Sequence, residues 1–260
     1  MKYILIVLFF YLIKSFEIKR LNKYELVKTM INQSKGYGTL STLSSYKKIK
    51  DYPQNSVVAY SCTKEGKPIF CFSSISQHSR NIKLNNRVSF SLTEKNFLNA
   101  ADVRATFVGN IKKVDDKDYT LLLKELFMSS HPHAFWANFP DFSLYILDEI
   151  KDISINGGFG KADKLVCETY YKSNPDYITL KTNDLLPEIE KNYLNVFKKY
   201  LKLLNLNNDA TLKNINKFGI NLRISEVKKT SLFQIPFSED VLTLDDLSKQ
   251  LDDLAKEVRH

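Results

Sequence analysis

The chain has 260 residues, 43% of them hydrophobic, including 17 Phe and 14 Tyr. That apolar content excludes global disorder and suits one large domain or two small ones. The net charge is +9, but the lysines are scattered among acids with no run of five, and no basic helix or nucleic-acid module accompanies them. No nucleic-acid partner is therefore expected.

Met1-Lys2 precedes an apolar run from Tyr3 to Ile13, then Lys14-Ser15. The run fits the core of a signal peptide and is short for a membrane span. A secretory leader over 1–16 is expected, with no stable membrane span in the mature chain; the alternative is a buried N-terminal strand. Residues 17–35 carry Lys19, Arg20, Lys23, Lys28 and Lys35. They read either as a transit segment leading on to a plastid or as a first helix, Lys23 to Gln33, with Leu26, Val27 and Met30 inward.

Residues 38–110 read as strands. Gly38–Leu43, Ser56–Cys62, Ile69–Phe72, Val88–Thr93 and Arg104–Val108 are β-branched, aromatic or alternating, and the last ends at Gly109. Lys64 to Lys67 is a turn signal. Ser76–Leu84 reads as a helix with a polar opening suited to a cap. Asp115–Ser129 is a helix with Leu121, Leu122, Leu126 and Phe127 on its apolar face, stopped by His131-Pro132. Phe142–Leu147 is a further strand, and Asn156 to Gly160 holds a three-glycine cluster. Tyr170 to Asn183 is polar and reads as a linker. Leu185–Leu204 is a helix with Pro187 in its first turn. Ile220–Ile224 and Leu232–Ile235 are strands, and a capped helix starts at Thr243. The last unit thus reads helix–strand–strand–helix.

Cys62, Cys71 and Cys167 are too few for a disulfide framework, and the hairpin register leaves open whether Cys62 faces Cys71. The four His lack zinc spacing, so no metal site is expected.

The segment Phe72 to Asn81 leaves a strand and enters a helix, whose free N–H groups suit a phosphate monoester. Ser79 adds a hydroxyl and Arg80 a bidentate cation, with Ser56 and Ser61 on the preceding strand. The bland reading is a Ser-rich helix start with a surface Arg80.

Several stretches resemble the FMN-binding split β-barrel superfamily of pyridoxamine-phosphate oxidase: Gly38 to Leu43, Ser56 to Tyr60, and Ser73-Ser74 followed by His78-Ser79-Arg80-Asn81. The haem-utilisation branch, with HugZ-like and CREG-like proteins and the plastid glutamyl-tRNA-reductase-binding protein, is closer. It shares His131-Pro132, Phe135-Trp136, Asp141-Phe142, Gly157 to Ala162, Phe218 to Arg223 and Phe233 to Phe237. The resemblance covers about residues 30–260.

It implies an α+β fold: a split β-barrel over 36–168, a linker over 169–183, and a small α/β C-terminal domain over 184–260. It also implies a homodimer with FMN at the subunit interface. Carried over by position, the cofactor contacts are Ser56, Ser79, Arg80 and Asn81, with Ser73 and Ser74 at the same helix entry. Asn81 stands where the oxidase pattern has a Lys, and the oxidase's basic C-terminal signature is absent, so pyridoxamine-phosphate oxidase activity itself is not expected. Arg104 either neutralises a phosphate or propionate or pairs with Asp102. Gly158 and Gly160 either approach the ligand or end a strand. Trp136 either stacks on a ring system or packs in the core.

The haem-utilisation branch also implies haem. Among the histidines, His78 lies in the phosphate segment, the His131-Pro132 pair is structural, and His260, the last residue, is the candidate ligand. The branch's Asn-x-Asp-His is missing from the first C-terminal helix, where Glu190 to Leu194 stands. Two functions follow. One is an FMN- or haem-binding protein acting as an oxidoreductase in tetrapyrrole metabolism; storage without turnover is its variant. The other is a cofactor-free module that binds and regulates a protein partner. No catalytic residue is nominated.

Overall fold

A computed structural model describes residues 19–33, 36–157, 162–206, 209–226 and 229–258. The expected leader over 1–16, together with Gly158, Gly160 and His260, lies outside the described residues. The chain divides into two compact units, Asn22–Asp176 and a second that begins at Tyr177 and takes in the residues just before Asn22.

The first unit opens with helix α1, Lys23–Asn32, started by a reciprocal capping box between Asn22 and Glu25. Val27 and Met30 are buried, as the helical spacing predicts. Next come β1 (Tyr37–Leu43), β2 (Pro53–Cys62), β3 (Pro68–Ser73), α2 (Gln77–Leu84), β4 (Arg87–Thr93) and β5 (Arg104–Lys113). They are followed by α3 (Lys117–Ser130), β6 (Phe142–Asn156), β7 (Ala162–Leu165) and α4 (Cys167–Lys172). The strands run in the order β3-β2-β1-β4-β5-β6-β7, and an added β3–β6 pairing closes the first six into a barrel. All pairings are antiparallel. Leu40, Phe90 and Phe107 stand opposite one another on adjacent strands and fill the interior, each with 0% exposure. This is the α+β split barrel that the family resemblance implies.

Two strands run longer than expected. β5 passes Gly109 instead of ending there, with register shifts at Val108/Gly109 and Asn110/Ile111. A Cβ on Gly109 would sit 2.1 Å from the Glu149 carbonyl oxygen, so this glycine serves a close strand crossing and not a stop. β6 continues nine residues past Leu147 to Asn156, so that it pairs with β3, β5 and β7 in turn.

The α3 helix covers the outside of the barrel. Its buried residues are Leu123 and Phe127, whereas Leu121 and Leu122 are exposed. Phe127 and the partly buried Leu126 lie inward as expected, while Leu123 takes the inward place expected of Leu121 and Leu122, because three successive leucines leave the phase undecided in the sequence. The expected linker over 169–183 is largely helical, comprising part of α4 and α5 (Tyr177–Thr182). Tyr170 within it is fully buried, and its hydroxyl donates to the Gly66 carbonyl at 2.9 Å. Cys62 faces the barrel core and Cys71 the outer cluster under α3, so the two thiols cannot pair; all three cysteines are free.

The second unit holds α5, α6 (Leu186–Leu203), β8 (Ala210–Asn216), β9 (Gly219–Glu226), β10 (Lys229–Pro236) and α7 (Leu244–Glu257). The sheet is antiparallel, in the order β10-β9-β8. It has three strands instead of the expected two. A bulge between Leu212 and Asn214 breaks the alternation of β8 and hid it in the sequence. Phe197, Leu201, Ile215, Ile220 and Leu222 make the core. The capping box at Thr243 and Asp246 is present.

Among the described residues no helix is long and apolar enough to cross a membrane. Nor does any group of three His, Cys, Asp or Glu among them make a metal site.

Candidate functional site at the barrel mouth

The expected site lies where β3 turns into α2. Ser76 holds the cap position of α2, but its hydroxyl donates to the Ser73 carbonyl at 2.8 Å and meets Ser79 Oγ at 2.9 Å, so it caps no helical N–H. The Ser73 hydroxyl donates to Asp141, and the Ser74 N–H to the Asp141 carbonyl at 2.8 Å. These bonds tie the turn to the start of β6.

Asn81 faces inward with 0% exposure. Its Oδ1 accepts from the Ser45 N–H at 2.8 Å, the Ser45 hydroxyl at 2.8 Å and Gln77 Nε2 at 2.9 Å. Its Nδ2 donates to Thr42 Oγ1 at 2.9 Å and to Gln54 Oε1 at 3.1 Å. The amide is therefore saturated by protein and fastens α2 onto β1 and β2. Ser79 is equally buried, bonded to Ser76 and to the Tyr145 phenol, whose pKa burial raises.

The phosphate set consequently does not assemble. Ser73, Ser79 and Asn81 spend their side chains on protein partners, which leaves Ser56, exposed Ser74 and exposed Arg80. A phosphate dianion needs more compensation than one cation and two hydroxyls. The expected contacts thus leave a phosphate one cation and two hydroxyls, beside the N–H groups that no side chain caps at the start of α2. Arg104 joins neither group: it lies on β5, three strands from β2 around a six-strand barrel and so on the opposite wall. It donates to the Ala100 carbonyl at 3.0 Å, while the Asp102 carboxylate accepts from the backbone of Leu98 and Asn99 at 2.7 and 3.1 Å. Ser61 faces outward, bonded to the Leu126 carbonyl at 3.1 Å and to Ser130.

What the mouth does present is His78. Ser56 is paired with interior-facing Leu40, so its hydroxyl points into the barrel and lies 3.3 Å from His78 Nδ1. The imidazole packs on Phe72, with ring centroids 4.4 Å apart. Burial lowers its pKa, so it is neutral at pH 7. With Nδ1 engaged by Ser56, Nε2 is uncommitted among the described residues. A neutral imidazole whose second nitrogen is fixed by a hydroxyl is suited to hold a metal through the other. Exposed Arg80 stands in the same helical turn, its guanidinium bonded to Gln77 Oε1 at 3.1 Å, and Ile75 is exposed beside it. In the sequence His78 falls inside the phosphate segment; its inward direction follows only from its contacts with Ser56 and Phe72.

The remaining candidates are structural. His131 Nε2 lies 2.8 Å from the Tyr60 carbonyl and its ring packs on Phe127. Trp136 sits edge-on to Phe127 and against Phe142 in the outer cluster.

Comparison with known proteins gives a consistent set. A family model described as "CREG, beta-barrel" matches residues 19–172. The chain is 26% identical over 240 residues to the chloroplastic non-canonical heme oxygenase HOZ of Arabidopsis thaliana, an alignment that spans 88% of this chain and 72% of that one. A heme binding protein from Mycobacterium smegmatis superposes with a TM-score of 0.64 at 20% identity, covering 93% of this chain and 99% of that one.

Proposed function

Because the chain belongs to the CREG β-barrel family, we propose that the mouth of its barrel binds haem, with His78 Nε2 as the nitrogen that would hold the iron. The observation that carries this reading is the His78–Ser56 contact at 3.3 Å, which engages Nδ1 of a ring that burial favours in the neutral form and leaves Nε2 for a ligand. Phe72 and Ile75 supply apolar surface. Two relatives support a tetrapyrrole ligand: one is named a heme oxygenase and the other a heme binding protein. When bound, haem would supply the redox chemistry; the residues here hold and orient it.

Two further proposals accompany this one. The outer wall of β1, β4 and β5 carries the short side chains Thr39, Ser41, Ser89, Ser91 and Thr106, which suits close approach of a second copy and the homodimer implied by the family resemblance. The chloroplastic relative supports a plastid as the destination. Fusing residues 1–40 to a fluorescent protein tests the latter; signal outside plastids would reject it.

The direct test is an absorbance titration with haemin and, separately, with FMN. A sharp Soret band at one equivalent per chain, lost in His78→Ala and kept in His260→Ala, supports the site. Loss only in His260→Ala moves the ligand to the C-terminus. No band in any form favours a cofactor-free module that binds a protein partner. An FMN shift would overturn the reading of the spent phosphate donors.

A further inference from the structure

We infer that the β1–β2 loop and the outer face of α2 form a docking surface for an anionic lipid bilayer. The loop from Tyr46 to Pro53 is exposed throughout and contains the short 3-10 helix Lys47–Ile49. It carries Lys47, Lys48 and Lys50 against one acid, Asp51. Beside it α2 and its exit present Arg80, Lys83 and Arg87, all exposed. None of these six cations takes part in an ion pair among the described residues, whereas Lys67, Lys112 and Lys164 elsewhere on the same unit are each paired with Asp. Six cations without an ion pair among the described residues thus share one end of the barrel.

Large apolar side chains stand among those charges. Tyr46, Ile49, Tyr52 and Leu84 are exposed, Tyr52 at 67% and Leu84 at 75%. Lysines flanking exposed aromatic and aliphatic residues are the combination that anionic headgroups and the acyl boundary take together. Tyrosine favours the interfacial layer in particular. A nucleic acid would use the cations and the tyrosines, but it gains nothing from the aliphatic Ile49 and Leu84. The charge and the aliphatic tips therefore favour a lipid surface.

The patch is also held in shape. The Ser44 N–H donates to the Tyr52 carbonyl and the Asp51 N–H to the Ser44 carbonyl, each at 2.9 Å. Asp51 takes a left-handed φ of 64° to close the loop. Gln77 Nε2 donates to the Ser45 hydroxyl at 3.1 Å, so loop and helix present one continuous face. Docking would then cost little ordering of the chain.

Flotation of the full chain with vesicles of phosphatidylglycerol and phosphatidylcholine tests the inference. Vesicles of phosphatidylcholine alone report any partition driven by the apolar run 3–13. Binding to the anionic vesicles should exceed binding to the neutral ones and fall with added salt. The triple variant Lys47→Gln/Lys48→Gln/Lys50→Gln should lose about a hundredfold in partition, at about fivefold per lysine, with its melting temperature and haemin titration unchanged. Ile49→Ser/Leu84→Ser should also weaken binding. Equal binding to both vesicles, or an unaffected triple variant, overturns the proposal. So does a triple variant that loses binding to single-stranded RNA while its vesicle binding persists. The haemin titration is read separately, so failure of the cofactor site and failure of the lipid surface are distinguishable.

Discussion

The ammonium of Lys28 lies 4.2 Å from the ring centroid of Tyr170, and both side chains are fully buried. Lys28 Nζ donates to the Glu65 carbonyl, and the Tyr170 hydroxyl donates to Gly66, so α1 and α4 both close on the β2–β3 turn. Gly66 has a φ of +82°, and a Cβ there would sit 2.3 Å from the Tyr170 hydroxyl. Only glycine meets both demands.

Burial lowers the Lys28 ammonium from 10.5 to about 8. Between those values the unfolded chain holds a proton that the folded chain has released, so this group's contribution to stability rises with pH across that window. Urea unfolding of wild type and Lys28→Met at pH 7.5 and 9.5 should show the difference between them shifting by about 2 kcal/mol in favour of wild type. A difference independent of pH would mean that Lys28 does not titrate there.

His78 gives the opposite end of the scale. Its folded pKa lies below 6.5 because of burial, so the unfolded chain takes up the proton first. Its contribution is fully present above pH 6.5 and is lost as pH falls from there toward the folded value. Thermal melts from pH 7 to 5 should therefore fall more steeply for wild type than for His78→Gln. Parallel curves would place the imidazole in water.

Asn81→Ala should cost about 3 kcal/mol, because it strands the buried Thr42 hydroxyl along with half-buried Gln54, Ser45 and Gln77. The melting temperature should drop by about 10 °C, whereas Arg80→Ala should leave it unchanged. Equal, small effects would remove Asn81 from the role of fastening α2.

The cysteines should separate by reactivity. Burial pushes the Cys62 and Cys71 thiols up to about 12, while Cys167 is partly exposed. A disulfide-forming dye at pH 8 should count one thiol per native chain and three in denaturant. Reductant should leave the melting curve in place.

The barrel was readable because its strands alternate and its turns carry glycine or proline, as in Gly38–Leu43 and the Lys64 to Lys67 turn. What failed depended on contacts distant in sequence. Gly109 reads as a stop, yet its reason is the Glu149 carbonyl forty residues later. β8 was missed because one bulged residue destroys a period-two signal. At the mouth, Asn81 and Ser79 were named as ligand contacts from their neighbours in the chain. Their partners Thr42, Gln54 and Tyr145 lie on other strands, and only the register shows that the donors are already used.

The length of β6 sets an order of events. Its first residues complete the barrel against β3, where Ile69 meets Ile146, and its middle completes it against β5. Until that strand has been synthesised, β3 and β5 present two bare edges, and the ring can close only by joining segments about seventy residues apart. Such late, long-range pairing folds slowly and leaves edges open to neighbouring chains. A nascent chain halted before Phe142 is therefore a sheet with two sticky margins, and shielding by a chaperone matters most in that interval.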